Sequence, residues 1–224
     1  RRVLFRSGRA RFVDDINPAN LAAAAVVRSP HAHAAIIGAD ASAALAMPGV
    51  IAVYLFRDIA PFLAKSRLEI PIPGKYVQDV LRPVLAQDEV VYVGEPVALV
   101  VAEDRYIAED AAARVVIDYE PLPAVVDCRA GIEEGSPPAH RALPHNVVAR
   151  IDMSYGDIDG AFCDAPHVFT DRFWQHRVGS HSMEGRGVVA VYDDLGDRLN
   201  VWSSTQVPHD VRRSIADALG REES

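Results

Sequence analysis

The chain has few cysteines, no long apolar run and no excess of positive charge. Only two of its 224 residues are cysteine, Cys128 and Cys163, and they lie far apart without CxxC spacing. The sequence therefore encodes neither an iron–sulfur cluster nor a cysteine zinc site. We expect two free, buried thiols in a reducing compartment, the cytoplasm, with a single disulfide and the periplasm as the alternatives.

Other absences exclude further classes of protein. No apolar run reaches the roughly 18 residues that a membrane-spanning helix needs. The net charge is −8 and the basic residues are scattered, which argues against a general nucleic-acid binder. There is no GxSxG elbow, no P-loop and no GxGxxG opening a helix after a strand. Residues 1–7, RRVLFRS, lack the apolar region of a signal peptide and look foreign to the rest of the chain.

Half of the residues are hydrophobic, which suffices for a packed core. The first part of the chain intermingles strand and helix patterns, which predicts an α+β (mixed α/β) domain over residues 8–127. Residues 89–103 show two apolar strands interrupted by Gly94, Glu95 and Pro96, a pattern typical of a tight hairpin or a bulge. Further strands are predicted at 21–28, 34–40, 50–56 and 115–119, with helices at 41–47 and 106–114.

A Pro- and Gly-rich stretch without periodicity, residues 128–146, is predicted to be a linker. A second unit comes after it, over residues 147–224. Its predicted strands are 147–155, 168–182 (one long strand or a pair) and 187–192, and Asp157 is expected to cap a short helix over 158–164.

The most informative segment is LNVWSSTQVPHDVRRSIADALG, residues 199–220. Alternation from Leu199 predicts a strand, and helical spacing after Pro208 predicts a helix that stops at Gly220. Gln206 falls at the junction, near a helix N-terminus whose backbone donors favour an anion or an oxo group. A cap or a solvated loop residue is the alternative at such a junction.

Most of the remaining candidate residues are expected to have structural roles rather than catalytic or metal-binding ones. His31 and His33 would share one face of a strand and could bind a metal together, but no third ligand has suitable spacing. His176, His181 and His209 are polar residues that a cleft could use as bases. Glu184 is expected to tie backbone amides or Arg186 rather than to take part in chemistry. Paired acids are expected in turns or on solvated faces: Asp14-Asp15, Glu133-Glu134 and Asp193-Asp194.

Six phrases in order, GRARFVDDI, SPHAHA, YVGEPVALVVAE, IDYEPLPAVVD, YGDIDGAF and the segment from Met183 to Gly220, give the chain a clear resemblance. It resembles the α/β hammerhead domain, the linker and the first part of the molybdopterin-binding domain of molybdenum hydroxylase large subunits. These are the subunits of xanthine dehydrogenases, aldehyde oxidases and aerobic carbon monoxide dehydrogenases. One departure is glycine in the Glu184-Gly185-Arg186-Gly187 turn, where these proteins usually carry proline.

The resemblance implies a role for Gln206 and a set of cofactors. Gln206 would donate its amide N–H to the apical oxo ligand of molybdenum, as a neighbour rather than a direct ligand. The cofactor would be molybdopterin, with the cytosine dinucleotide form as one alternative. Iron–sulfur and FAD groups would lie on partner subunits or domains of a complex expected to be a dimer.

The resemblance also implies that this chain is one part of an oxidoreductase acting on a small molecule: an aldehyde, an N-heterocycle such as xanthine, or carbon monoxide. The copper–molybdenum centre would apply to the last of these. No catalytic residue is expected within these residues, because the catalytic Glu and a Gly-rich cofactor loop would lie further along the parent protein. The alternative is a non-catalytic hammerhead module for assembly or interaction.

Overall fold

The computed structural model describes residues 7–68, 75–78, 82–175, 179 and 181–223. The described chain forms two compact units. The larger unit holds residues 17–149 and 205–223, and the smaller unit holds residues 7–16 and 150–204. These units are not the segments predicted as domains, because the last helix is grouped with the larger unit. The predicted boundaries at 127 and 147 stay a prediction.

Helices and short strands alternate along the described residues. The helices are α1 (Ser42–Leu45), α2 (Phe56–Ile59), α3 (Arg105–Ala112), α4 (Ile158–Asp164) and α5 (Pro208–Leu219). The strands are β1 (Ala23–Arg28), β2 (Ala34–Asp40), β3 (Val50–Leu55), β4 (Arg67–Leu68), β5 (Lys75–Tyr76), β6 (Arg82–Pro83), β7 (Glu89–Val90), β8 (Pro96–Ala102), β9 (Val116–Pro121), β10 (Ala149–Arg150), β11 (Val188–Asp193) and β12 (Arg198–Ser203).

Strand β8 is the centre of the larger unit. It pairs antiparallel with β1 on one side and with β3 on the other, and α3 packs against all three strands. Ala98 and Val100 of β8 are fully buried in a cluster with residues of α1, β3 and α3. Side chains on a strand alternate between faces, so Val97 points the other way and joins a second cluster with Ala34, Ala86 and Val90.

Helix α3 is well specified by its sequence. Asp104 is its N-cap, and the Asp104 carboxylate accepts a hydrogen bond from the backbone N–H of Ile107 at 2.9 Å. The buried residues of the helix are Ala108 and Ala111, whose small side chains let the helix lie close to the sheet. The helix was predicted over 106–114 and forms over Arg105–Ala112, beginning directly after the Asp104 cap.

The second sheet of the larger unit has the order β7-β2-β9, with antiparallel pairing. This corrects the hairpin interpretation of residues 89–103, because β7 pairs with β2 while β8 pairs with β1 and β3. The two strands leave the turn in different sheets. Gly94 has φ of +91°, and the amide of Glu95 donates to the carbonyl oxygen of Tyr92 at 3.3 Å.

The Glu95 side chain fixes this passage between the sheets. Glu95 is buried, and its carboxylate accepts the backbone N–H of Val91 at 2.6 Å. Burial raises the pKa of the Glu95 carboxyl, although the hydrogen bond from Val91 opposes that shift. The buried Glu95 carboxylate thus stabilises the turn through its hydrogen bond with the Val91 amide.

The smaller unit contains one antiparallel hairpin, in which β11 and β12 pair from Val188↔Ser203 to Asp193↔Arg198. Helix α4 begins as predicted, because the Asp157 side chain accepts the backbone N–H of Gly160 at 3.0 Å. Two strand predictions were wrong. Residues 147–155 contribute only the short β10, and no strand forms among the described residues of 168–182.

The failed strands have a physical explanation. A β-strand is stable only when a neighbouring strand pairs with its backbone groups. This stretch contains β-branched and aromatic residues, which favour a strand. Phe169 and Phe173 are instead exposed, and the described residues form no ladder beside them.

The N-terminal segment of the smaller unit is held by Glu184. The Glu184 Oε1 atom accepts the backbone N–H of Val13 at 2.6 Å. Close by, an ideal Cβ atom on Gly187 would lie 3.1 Å from Val13 Cγ1, so the backbone of Gly187 passes close to the Val13 side chain. The short 3-10 helix Val13–Asp15 is therefore tied to residues 184–187.

Both cysteines are free, as expected, but the prediction that they are buried was wrong. Cys128 and Cys163 are exposed. Cys163 lies on α4, a helix without a buried residue, so composition alone could not place its thiol. In the described ranges, no helix has the length and apolar character to cross a membrane.

The raised pKa of Glu95 predicts a pH effect on stability. The folded protein holds the proton to a higher pH than the unfolded chain, so the free energy of unfolding falls as pH rises above 4.5, the ordinary glutamate value, through the folded pKa. Glu95→Gln should lose this decline while the amide oxygen still accepts the Val91 N–H. Urea unfolding over a pH series measures this decline in the free energy of unfolding. Glu120→Gln, which removes an exposed carboxyl, is the control. Identical pH slopes for wild type and Glu95→Gln would contradict this account.

A second prediction concerns the hydrogen bond between the Glu184 carboxylate and the Val13 amide. Glu184→Ala leaves the amide of Val13, a buried residue, without its acceptor, which should cost about 1–3 kcal/mol in the free energy of unfolding. Glu184→Gln keeps an acceptor oxygen and should lose less. Hydrogen exchange of residues 12–15 checks the location of the effect. If the two variants were equally stable, the hydrogen bond would not be the cause.

Candidate functional site

Gln206 lies between the end of β12 at Ser203 and the start of α5 at Pro208, as predicted from the change of periodicity. Its immediate neighbour organises the loop, since the Thr205 hydroxyl accepts the backbone N–H of Val207 at 3.1 Å. This is a turn in which a side chain substitutes for a backbone acceptor. Pro208 occupies the first turn of the helix, where its missing N–H costs nothing.

The carboxamide of Gln206 is not used for hydrogen bonding within the described residues. Gln206 is exposed, and no hydrogen bond joins it to any residue in the described part of the chain. A carboxamide offers two N–H donors and one oxygen acceptor. The geometry therefore leaves a neutral donor available at the start of α5.

The serine two residues earlier has a different role. Ser204 belongs to the smaller unit, where its Oγ accepts the backbone N–H of Gly187 at 2.7 Å and its own N–H donates to the Gly187 carbonyl oxygen at 3.1 Å. These bonds extend the β11–β12 pairing by one residue. The Ser204 hydroxyl is therefore committed to the hairpin and is not a free group for a ligand.

The far end of α5 is also well defined. Gly220 has φ of +64°, the left-handed conformation that favours glycine. The Arg221 N–H donates to the Ala216 carbonyl at 2.9 Å, and the Gly220 N–H donates to the Asp217 carbonyl at 3.3 Å. This pair of bonds is a Schellman motif, and it confirms the predicted helix stop.

Glu184 has the structural role that the sequence favoured. Its carboxylate accepts the Val13 amide at 2.6 Å, and its backbone carbonyl accepts the Ser182 hydroxyl at 2.7 Å. The paired acids are likewise local: the Asp15 carboxylate accepts the Phe12 amide at 2.8 Å, and the Asp193 carboxylate accepts the Leu195 amide at 3.2 Å. None of these contacts requires a ligand.

The histidines are dispersed. His31 and His33 precede β2 rather than lying on it, which corrects the strand geometry assumed for a metal pair. The His33 ring bonds to the Pro123 carbonyl oxygen at 2.7 Å, whereas the His31 ring packs edge-on against Tyr119. His181 bonds to the Gly179 carbonyl oxygen and His209 is exposed on α5, while His176 lies outside the described residues. No three potential metal ligands cluster in the ranges that the structure describes.

Sequence reasoning did not single out Glu89, which joins the predicted linker to the larger unit. Its carboxylate lies 3.4 Å from His33 Nε2 and 3.5 Å from His140 Nδ1, and it accepts the backbone N–H of Arg141 at 3.2 Å. Burial lowers the pKa of the His140 imidazole, with Glu89 acting in the opposite direction. The only signal in the sequence was an acid at the start of an apolar run.

Asn146 organises the same linker from within. Its side-chain oxygen accepts the Ala139 amide at 2.7 Å, and its Nδ2 donates to the carbonyl oxygens of Gly131 and Pro137 at 2.9 and 3.0 Å. The neighbouring residues are held as well, since Gln78 Nε2 donates to the carbonyl oxygen of Val147 at 2.8 Å. Residues 128–146 are thus held by side-chain hydrogen bonds within the larger unit, and their role as a linker between two domains stays a prediction.

Known proteins match both parts of the sequence. The pattern described as aldehyde oxidase and xanthine dehydrogenase, a/b hammerhead domain, matches residues 7–123. The pattern described as molybdopterin cofactor-binding domain matches residues 139–224 and so includes Gln206.

Individual relatives agree with these matches. The nicotine 6-hydroxylase large subunit of Paenarthrobacter nicotinovorans is 43% identical over 97% of this chain and 26% of its own length. The carbon monoxide dehydrogenase large chain of Afipia carboxidovorans is 35% identical over 99% of this chain and 28% of its own length. The crystal structure of quinoline 2-oxidoreductase from Pseudomonas putida 86 superposes with a TM-score of 0.85 at 35% identity, covering 99% of this chain and 28% of that one.

The chain therefore spans about a quarter of the length of these relatives. Its order, hammerhead pattern first and cofactor-binding pattern second, is the order predicted from the sequence phrases. The α+β fold agrees with the hammerhead assignment and with the solved neighbour. The chain belongs to the aldehyde oxidase and xanthine dehydrogenase family of molybdenum hydroxylases, in the region of the large subunit that joins the hammerhead domain to the molybdopterin-binding domain.

Proposed function

We propose that this chain forms part of the large subunit of a molybdenum hydroxylase that oxidises a small molecule, and that Gln206 contacts its cofactor. The observation that carries the proposal is the Gln206 carboxamide, which is exposed and has no hydrogen-bond partner among the described residues. It stands within the stretch that matches the molybdopterin-binding pattern. The relatives named as nicotine hydroxylase and carbon monoxide dehydrogenase support the reaction class.

The residues around Gln206 fit an oxo-bearing cofactor. The hydroxyls of Ser204 and Thr205 accept backbone amides, and the carboxamide is the side chain of this triplet that has no hydrogen-bond partner among the described residues. A neutral N–H donor suits an anionic oxo centre, because a carboxylate at the same place would repel it. When bound, the molybdenum cofactor supplies the electron-accepting chemistry of the oxidation.

The role of this chain is then to position the cofactor. It does not transfer protons. Gln206 donates a hydrogen bond from Nε2, and the Thr205–Val207 turn orients the backbone that carries it. A preorganised donor needs no rearrangement when charge develops on the acceptor. The catalytic Glu is proposed to lie elsewhere in the parent protein.

The finer features of the parent are inferred from the family and form part of the proposal. The cofactor is molybdopterin, with its cytosine dinucleotide form as one alternative. Iron–sulfur and FAD groups on partner subunits carry the electrons away, in a dimeric cytoplasmic complex. The substrate is a small aldehyde, N-heterocycle or carbon monoxide, the last with a copper–molybdenum centre.

The alternative, a non-catalytic hammerhead module, makes a different prediction about the parent. It requires no molybdenum in the purified protein, and the match of residues 139–224 to the cofactor-binding pattern argues against it. Molybdenum analysis of the purified parent separates the two. A parent sequence that continues into a Gly-rich loop shortly after residue 224 would support the enzyme.

Replacing Gln206 tests the proposed contact. In the full-length parent, Gln206→Ala should lower turnover by about 10- to 1,000-fold, the usual effect of removing one preorganised donor, with molybdenum content unchanged. Gln206→Glu should be at least as damaging, since it adds a charge of the wrong sign.

Gln87→Ala is the matched control, because Gln87 is also exposed but lies within the hammerhead pattern. It should turn over at the wild-type rate. Unchanged turnover of Gln206→Ala at full molybdenum loading would exclude Gln206 from the cofactor site.

A further inference from the structure

The C-terminal end of α5 is anchored to a segment that is distant in sequence. The backbone N–H of Ala64 donates to the Ala218 carbonyl oxygen at 2.8 Å, and the N–H of Lys65 approaches the same oxygen at 3.4 Å. The Schellman bonds use the carbonyls of Ala216 and Asp217. Residues 64 and 65 therefore complete the hydrogen bonding of a helix end that would otherwise keep an unpaired carbonyl.

Two further contacts fix this anchor. The Lys65 ammonium pairs with the Asp217 carboxylate at 2.9 Å, which also places a cation at the negative end of the helix dipole. Gly220 passes so close to Ala64 that an ideal Cβ on Gly220 would lie 2.9 Å from the Ala64 Cβ. Any larger residue at position 220 would force the two segments apart.

The anchor is the best-buried part of the helix. Ala218 is the only buried residue of α5, and the first three residues of the helix, at the Gln206 end, are exposed. Twelve residues span about 18 Å at 1.5 Å per residue. A tilt of about 10° at the anchor would therefore move the opposite end by roughly 3 Å, and displacements of about 1 Å are enough to impair positioned groups.

We propose that Ala64, Lys65 and Gly220 form a positioning element that sets the direction of α5 and thereby the place of Gln206. Residue 64 lies in the hammerhead pattern and residue 220 in the cofactor-binding pattern. The hammerhead part thus acts on the cofactor site through a helix without touching the cofactor. This inference rests on the proposed contact between Gln206 and the cofactor.

Gly220→Ala in the full-length parent is the principal test. We expect turnover to fall about tenfold or more at normal molybdenum content. We also expect the electron paramagnetic resonance spectrum of the Mo(V) state to shift in the same sense as in Gln206→Ala. A purely structural role would lower the yield of folded protein without changing the spectrum of the loaded enzyme.

Two matched variants separate the contact from backbone strain. Gly135→Ala imposes a comparable strain, with φ of +81°, but its new Cβ meets open space, so activity should stay within about twofold of wild type. Ala64→Gly combined with Gly220→Ala removes the clash and should restore the wild-type spectrum. If the double variant stays impaired while Gly135→Ala is normal, the contact with Ala64 is not the cause and the inference is wrong.

Lys65→Met tests the anchor where Gly220→Ala does not yield folded parent. The pair is half exposed, so its loss should leave folding intact. Hydrogen exchange of the Val211 amide, which donates to the Val207 carbonyl oxygen at 3.1 Å at the opposite end of α5, should become about two- to fivefold faster, whereas Lys65→Arg should behave as wild type. Unchanged exchange in Lys65→Met would overturn the inference.

The outcomes also distinguish the two proposals. If Gln206→Ala shifts the Mo(V) spectrum and Gly220→Ala does not, the positioning element fails and the proposed contact survives. If neither variant shifts it, both proposals fail.

Discussion

The burial of β8 is the constraint on which the larger unit depends. A strand paired on both edges and covered by a helix can hold only apolar, compact side chains, and β8 supplies Val97, Ala98 and Val100. Because neighbouring residues of a strand face opposite ways, β8 contributes to both hydrophobic clusters. β8 consequently links the two clusters, which lie on its opposite faces, and the chain must turn sharply where it enters β8. Glu95 closes that turn by burying a carboxylate against the amide of Val91, at the cost of a raised pKa.

Local signals in the sequence predicted local structure well. The Asp157 cap, the helix predicted over 106–114, and the helix from Pro208 to Gly220 each depend on residues within a few positions of one another. The turn at Gly94 was predictable for the same reason. The pairing of the strands on either side of this turn was not predictable, because the choice of partner strand depends on residues far away in sequence. A hairpin and a crossing between sheets have the same local pattern.

The wrong predictions concern features that depend on contacts between residues far apart in sequence. Apolar content over residues 168–182 favours a strand, but only a neighbouring strand can stabilise one, and the described residues offer none there. The exposure of Cys128 and Cys163 depends on how their segments pack, which composition does not determine. Glu89 was overlooked because its partners, His33, His140 and Arg141, are spread over more than 100 residues. The contacts that hold residues 128–146 could not be inferred from their proline and glycine content.

The candidate site combines both kinds of information. Periodicity placed Gln206 between a strand and a helix, but many loop residues share that location and the position alone implies no ligand. The structure adds that the two preceding hydroxyls are each used: Ser204 binds the backbone of Gly187 within the smaller unit, and Thr205 binds the amide of Val207. With its neighbours committed to holding the backbone, the Gln206 carboxamide stands out as the group with no role inside the described chain. A single neutral donor is effective only if its position is fixed before the ligand arrives. In the proposed site, the backbone on either side of Gln206 would therefore matter as much as the side chain itself, and contacts as remote as Ala64 with Ala218 would act on the site through that backbone.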